Sequence, residues 1–220
     1  QTIAHLSADA REAARDRRMA EAIERLDGME LLLKLGTLRQ VAAEGKLPLA
    51  IEWCRELCAC RKLIVFAHHV PVVRGLAAAL RSECGAEAID GDSNRRGLTG
   101  ARLGRFLKDP ACRLLSISIS AGGTGLDGLQ HAASDVAFIE YPWTPSSLNQ
   151  AGSRLHRMGQ TGTVHEWHLL ASGTVDDDLV RLLDAKGQVC DAITDGAARE
   201  AAIANGRALA KTLAGGVSNL

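Results

Sequence analysis

The segment from Asn149 to Gln160 gathers side chains that could act on a phosphorylated substrate. In a helix, Gln150, Arg154 and Arg157 would share one face, because they stand at positions i, i+4 and i+7. Two guanidinium groups held close together repel each other unless an anion lies between them. A triphosphate is such an anion, and an arginine delivered from a second domain stabilises the charge that develops on its γ-phosphoryl group during cleavage. A solvated helix face is the common explanation for such a pair, but the neighbouring glycine loop and the predicted parallel sheet favour Arg154 and Arg157 as catalytic groups.

A glycine-rich loop is the second chemical feature. Gly123, Gly125 and Gly128 have the spacing of a dinucleotide fingerprint, and Glu140 follows where a ribose-binding acid would stand. Only residues 126–134 separate this loop from the next predicted strand, which is too short for the helix of such a unit. The chain also contains no G-K-[ST] triplet, so it has no Walker A loop. The loop still suits the anionic oxygens of a nucleotide or of DNA, and a dinucleotide-binding enzyme domain remains the less favoured alternative.

The elements that would position these groups alternate between strands and helices. The short apolar run over 63–67 predicts a buried strand, and further strands are predicted over 86–89 (a weak one), 113–119, 135–140 and 164–170. Helices are predicted over 70–83, 98–108, 146–157 and 175–186. This alternation predicts an α/β fold in which helices cover both faces of a parallel sheet. Ligands bind such sheets at the C-terminal ends of the strands. His68-His69, Asp90-Gly91-Asp92 and the glycine loop are expected there.

The two ends of the chain look different from this core. Residues 1–44 predict one or two long polar helices, Gly45 to Pro48 predicts a break, and Leu49 to Cys60 predicts a further helix. Residues 187–220 are rich in Ala and Gly and are predicted to be weakly helical.

Composition limits the classes of function. The 26 Lys and Arg residues balance 26 Asp and Glu residues, so a strongly basic nucleic-acid binder is not indicated. From Asp90 to Arg113, however, six basic residues face three acids, which makes a local DNA contact possible. No signal peptide or apolar run of membrane length is visible. Neither Cys54-x₃-Cys58-x-Cys60 nor His165-x₂-His168 has a zinc spacing, so no metal site is predicted.

Four segments, in order, resemble the C-terminal helicase lobe of the Swi/Snf group within helicase superfamily two. They are Lys62–His69 (motif IV, closest to the HARP-like annealing-helicase branch), Ser118–Gly128 (motif V), Tyr141–Pro145 (the proline–tryptophan turn) and Gln150–Gln160 (motif VI, with its Arg-x-His-Arg-x-Gly-Gln core). The resemblance spans roughly residues 38–188, and motif VI carries most of its specificity.

The resemblance implies an organisation of the chain. It implies a RecA-like lobe over residues 49–188, preceded by a helical extension or inter-lobe region over 1–48 and followed by a tail over 189–220. The lobe would be the second motor lobe of an ATP-dependent DNA translocase. It would be inactive as an ATPase alone, since the chain has neither a Walker A loop nor a D-E-x-H box. A non-catalytic RecA-like interaction module is the alternative.

The resemblance also implies roles for single residues. Arg154 and Arg157 would reach ATP, which the first lobe would hold with Mg²⁺. Other residues would bind nucleotide (Gln150, Gly123, Gly125, Asp127) or nucleic acid (His68, His69, Arg95, Arg96, Ser120, Thr124). The family usually has an arginine seven residues before the Phe106 position. This sequence has Thr99 there, and Arg95, Arg96 or Arg102 is the expected substitute.

Partners and location follow from the same resemblance. The implied partners are DNA, with duplex favoured, and an N-terminal RecA-like lobe of the same protein, with no membrane. The expected location is the cytoplasm or nucleoid of a bacterial or phage system, or the nucleus of a eukaryote.

Overall fold

A computed structural model describes residues 8–121, 126–142, 145–181 and 183–184, with side chains over 33–121, 126–142, 147–181 and 183–184. The strands are β1 (Leu63–Ala67), β2 (Glu87–Ile89), β3 (Leu114–Ser118), β4 (Asp135–Phe138) and β5 (His165–His168). The helices are α1 (Ala8–Cys58), α2 (Val70–Cys84), α3 (Gly91–Arg95), α4 (Thr99–Lys108), α5 (Leu129–Ala132) and α6 (Pro145–Gly152). Residues 175–181 are also helical.

The five strands form one all-parallel sheet in the order β2-β3-β1-β4-β5. Helices cover both of its faces, so the predicted RecA-like α/β fold is confirmed. Each predicted strand is present, shortened by up to three residues at its ends. The short helices α3 and α5 were not predicted; α3 begins at a capping box in which Asp90 and Ser93 satisfy each other's backbone N–H groups.

The side chains of β1 point alternately to the two faces of the sheet and contribute to a core layer on each face. Leu63 and Val65 pack with Leu76 and Leu80 of α2 on one face of the sheet, because successive side chains of a strand point to opposite faces. On the other face, Ile64 and Phe66 pack with Phe106 of α4 and Leu129 of α5. Each of these fully buried side chains stabilises the fold by roughly 1.5–3 kcal/mol. Together they fix the frame from which the connecting loops emerge.

The N-terminal helix corrects one expectation. α1 passes through Gly45 to Pro48 without a break, although an internal proline costs a helix about 3 kcal/mol. Packing offsets this cost, because Ala43, Ala50, Cys54 and Cys58 form a buried stripe. The proposed domain boundary at residue 48 falls within this helix and stays a prediction. No helix in the described part of the chain has the length and apolar character needed to span a bilayer.

The helix that carries motif VI is also shorter than predicted. α6 ends at Gly152 rather than continuing to residue 157. The chain then tightens into successive i→i−3 turns, in which Arg154 N–H donates to the Ala151 carbonyl at 3.4 Å and Leu155 N–H donates to the Gly152 carbonyl at 3.1 Å. Gly152 and Ser153 are weak helix formers, and the turn places Leu155 in the core, where it is fully buried. The single helical face predicted for Gln150, Arg154 and Arg157 is therefore wrong.

Candidate functional site

The carboxyl edge of the sheet brings several of the predicted residues together. Because all strands are parallel, the loops after them leave from the same edge. His68 and His69 follow β1, Ser120 follows β3, and Glu140 follows β4. β1 pairs with both β3 and β4, so the β1 loop lies between the other two.

Glu140 organises the loop after β1. Its carboxylate is 3% exposed and accepts hydrogen bonds from the backbone N–H groups of His68 at 3.0 Å and His69 at 2.9 Å. Its second oxygen lies 2.5 Å from Nδ1 of His69. Burial, the Arg39 charge and His69 together lower the pKa of His68, while Glu140 opposes this shift. We call Glu140, His68 and His69 the glutamate latch.

α1 adds two buried cations to the same edge. Arg39 donates to the carbonyl of Tyr141, next to the latch. Lys46 donates to the Leu169 carbonyl at 2.9 Å and pairs with the buried carboxylate of Asp176. Burial lowers the pKa of Arg39, and the charges of Glu140 and Asp176 partly restore it. The N-terminal helix is thus joined to the loops that follow β4 and β5.

An exposed ion pair joins Arg157 of motif VI to Asp127. Arg157 Nη1 lies 2.9 Å from Oδ1 of Asp127, and the two side chains are 44% and 84% exposed. Asp127 lies in the segment that leads from the glycine loop after β3 to α5. Exposed pairs of this kind contribute only about 0–1 kcal/mol. An incoming phosphate could therefore replace Asp127 at little cost.

Arg154 lies behind this pair and is 6% exposed. Burial, followed by the neighbouring charge of Arg157, lowers its pKa, while Asp127 raises it. A guanidinium nevertheless stays protonated at neutral pH. Among the described residues, no carboxylate lies within ion-pair distance of Arg154, so its charge is poorly compensated. We call Arg154, Arg157 and Asp127 the arginine site.

The remaining predicted residues fall into three groups. Gln150 is exposed on α6, and the hydroxyls of Ser118 and Ser120 are 2.8 Å apart at the end of β3. Arg95 and Arg96 are exposed and both contact Asp92, each at 3.2 Å. Gly123, Thr124 and Gly125 lie outside the described residues.

Arg102 is held away from any ligand role by local bonds. It donates to the Ala88 carbonyl at 2.6 Å and to the Ser93 hydroxyl at 2.8 Å. Arg95 and Arg96 are therefore the better candidates for the arginine missing at Thr99.

Gln160, the last residue of motif VI, serves the fold. Its amide donates to the Ala133 carbonyl at 3.1 Å and accepts from the Gly162 N–H at 3.0 Å, at the amino end of β4. Gly159, just before it, has φ = +96°. A side chain there would be strained and would meet His131.

Sequence reasoning missed the parts of this edge that depend on strand order. Glu140 was considered only as a possible ribose ligand, and Arg39 and Lys46 were not singled out. An acid directly after a buried apolar strand was the signal for Glu140. For Arg39 and Lys46, the signal was two cations seven residues apart beside the apolar stripe of α1. Within the described residues, no three His, Cys, Asp or Glu side chains are arranged to hold a metal ion.

The chain is similar in sequence to known proteins that act on DNA or chromatin. The mouse DNA annealing helicase and endonuclease ZRANB3 is 37% identical over 139 residues, which are 61% of this chain and 12% of that protein. The SWI/SNF-related matrix-associated actin-dependent regulator of chromatin subfamily A-like protein 1 of Drosophila melanogaster is 33% identical over 130 residues, 59% of this chain and 17% of that protein. The chain thus spans less than a fifth of these relatives. No protein-family model matches the chain.

A solved structure supports the fold. The SWI2/SNF2 ATPase core of Sulfolobus solfataricus in complex with dsDNA superposes with a TM-score of 0.56 and 21% identity, covering 77% of this chain and 38% of that chain. The described core has a RecA-like α/β fold, and the chain is similar in sequence to Swi/Snf-related proteins. In this fold the one-turn helix α5 separates the glycine loop from β4, so the longer helix of a dinucleotide-binding βαβ unit is not formed there.

Proposed function

We propose that this chain is the second motor lobe of a DNA-dependent ATPase and that its arginine site completes an ATP site on a first lobe. The observation that carries the proposal is the poorly compensated charge of Arg154 beside the exposed guanidinium of Arg157. A buried charge is costly unless an opposite charge reaches it. The γ-phosphate of a nucleotide held by another domain would supply that charge.

The two arginines then have different roles. Arg157 is exposed and held only by Asp127, so it is the group that would turn onto the γ-phosphoryl oxygens. Arg154 lies behind it and adds positive potential without needing to move. Gln150, exposed on α6, would contact nucleotide or water. Mg²⁺ would be held with ATP by the first lobe, as the family resemblance implies.

DNA would lie along the same edge. The loop after β1, which the glutamate latch holds, and the hydroxyl of Ser120 would contact phosphates without reading sequence. The similarity to a structure solved with dsDNA favours duplex as the track. Closure of the lobes on ATP and their opening after hydrolysis would shift these contacts along the strand.

ATP turnover by the two-lobe protein tests the proposal. Arg157→Ala is expected to lower kcat by roughly 10³–10⁵-fold with DNA affinity unchanged, because the charge it supplies is needed only in the transition state. Arg157→Lys should restore little, since an ammonium lacks the planar fork. Arg181→Ala removes an exposed arginine on the helix over 175–181 and should leave kcat unaltered.

The opposite result would favour a different function. If Arg157→Ala and Arg154→Ala both kept full DNA-stimulated turnover, the arginine site would not be catalytic, and a RecA-like interaction module would become the better interpretation. The 220-residue chain alone should hydrolyse no ATP, and clear turnover by it would contradict the two-lobe arrangement.

A further inference from the structure

A cleft outside the arginine site lies between α2 and α3 at the edge strand β2. Its volume is about 540 Å³. One wall is a single stripe of α2, because Arg74, Ala77, Ala78 and Arg81 stand at positions i, i+3, i+4 and i+7. The facing wall is formed by α3, its cap and the start of α4, and contributes Asp90, Asp92, Ser93, Arg96, Leu98 and Arg102. We call this the α2–α3 cleft.

The cleft carries more positive than negative charge. Four arginines line it against two aspartates. Asp92 is shared by three guanidinium groups, those of Arg74 at 3.5 Å and of Arg95 and Arg96 at 3.2 Å each. Arg81 is exposed, and no described carboxylate lies within ion-pair distance of it. The surplus charge therefore remains available to an anion from outside.

Asp90 does not offset this surplus. Its buried carboxylate already accepts from Arg74 Nε at 2.6 Å, from the Ser93 N–H at 2.8 Å and from the Ser93 hydroxyl at 2.9 Å. It is committed to the start of α3 and fixes Arg74 in place. Arg81 and Arg96, in contrast, have no such restraint from a buried group.

The shape of the cleft favours an extended polyanion. Arg74 and Arg81 are two helical turns apart, about 10 Å along α2, and Ala77 and Ala78 leave the space between them free of long side chains. Successive phosphates of a DNA strand advance about 3.4 Å along the axis, so the two arginines match phosphates about three nucleotides apart. No aromatic side chain lines the cleft for a base to stack on, which points to contacts with phosphates alone.

We propose that the α2–α3 cleft binds the sugar–phosphate backbone of duplex DNA as a second contact, beyond the loops at the carboxyl edge, with Arg81 and Arg96 as its principal cations and Arg74 as a fixed one. The inference rests on the proposed function only in assuming that the protein binds DNA. It assigns Arg74 and Arg81 a role that the motif resemblance does not imply. The cleft would keep the lobe on DNA while the arginine site exchanges nucleotide.

Duplex binding in a salt series tests this without ATP hydrolysis. The probe is a short mixed-sequence duplex, and the protein is the two-lobe protein without nucleotide. Arg81→Ala/Arg96→Ala should lower the slope of log K against log salt concentration by about 1.8, which is two phosphate contacts. Arg81→Lys should keep most of the slope, and Arg81→Glu should weaken binding further. Arg74 is tested as Arg74→Lys, since Arg74→Ala would leave the buried Asp90 without its partner.

A matched control separates local contacts from net charge. Lys108→Ala/Arg181→Ala removes the same two charges from exposed sites outside the cleft, and should leave the slope close to that of the unmodified protein. Equal losses in the two double variants would overturn the inference.

Two other outcomes would also overturn it. If the unmodified protein binds duplex but Arg81→Glu binds as tightly, this inference fails while the proposed function stands. If Arg81→Glu leaves DNA binding intact but abolishes binding of a polyglutamate probe, the cleft serves an acidic protein partner instead. Absence of any DNA binding by the unmodified protein would overturn this inference together with the DNA part of the proposed function.

Discussion

The glutamate latch and the arginine site each contain a buried charged side chain, but the two side chains differ in the partners that they have. Glu140 accepts three hydrogen bonds from the loop after β1. Arg154 is equally withdrawn from solvent, but no described carboxylate lies within ion-pair distance of it. A satisfied buried network makes a rigid frame, whereas an incompletely satisfied one marks a position that a ligand can complete. The contrast supports the proposal that the glutamate latch serves the fold and that the arginine site serves the chemistry.

Breaking the latch should have the largest effect on stability. Glu140→Ala leaves the partly buried N–H groups of His68 and His69 without this acceptor, and a buried group left unsatisfied costs about 1–3 kcal/mol. We expect the free energy of unfolding to fall by about 3 kcal/mol in urea denaturation. Glu140→Gln retains one acceptor oxygen and should lose about half as much. A loss below about 1 kcal/mol for Glu140→Ala would show that the latch is not a frame.

The latch also shows what sequence reasoning could and could not supply. β1 was predictable because it is a short apolar run, and the other strands followed from the alternation of strand and helix patterns along the chain. Glu140 was not assigned as the anchor of His69 because the two are 71 positions apart and meet only through the pairing of β1 with β4. Arg154 was placed on a helix because the local pattern is helical, but burying Leu155 required a turn after Gly152. Local patterns predicted the elements, while long-range packing decided the site.

The pH dependence of stability tests a third buried charged group, Asp90, whose carboxylate is hydrogen-bonded as that of Glu140 is. Burial alone would raise the pKa of Asp90, but hydrogen bonds from Arg74 and Ser93 outweigh it and lower the pKa to about 2. Because the folded-state pKa is depressed, the stabilisation is present above the unfolded pKa, near 4, and is lost as pH falls from there towards 2. Arg74 is about half exposed, so solvent screens its interaction with Asp90. We therefore expect about 1–2 kcal/mol of the unfolding free energy to disappear over this pH range.

Asp90→Asn provides the control for that titration. Urea midpoints measured from pH 4 to pH 2 should fall less steeply in the variant than in the unmodified chain. If the urea midpoints of the two proteins fell equally with pH, the Asp90 carboxylate would not be stabilised by its hydrogen bonds in the way proposed for Glu140.

Removing the buried charge of the arginine site should raise the free energy of unfolding, whereas removing that of the glutamate latch should lower it. Arg154→Met replaces a poorly compensated buried charge by an apolar side chain of similar length, a change that is often neutral or stabilising. We expect the free energy of unfolding of the chain to rise by about 1 kcal/mol, while ATP turnover by the two-lobe protein falls sharply. A clear loss of stability would indicate that Arg154 already has a strong partner, and the contrast with Glu140 would disappear.

The smallest effect on the free energy of unfolding is expected for a substitution of Asp127. This variant tests most directly whether the Arg157–Asp127 pair differs from the buried Glu140 network. Asp127 is 84% exposed and its pair with Arg157 joins two solvated groups, so Asp127→Ala should change the free energy of unfolding by less than about 0.5 kcal/mol. A loss above about 1.5 kcal/mol in urea denaturation would mean that the pair supports the fold as Glu140 does. If the change is small, the carboxylate only holds Arg157 until a better anion arrives. Releasing that guanidinium should then leave ATP turnover intact or raise it, whereas removing the guanidinium abolishes turnover.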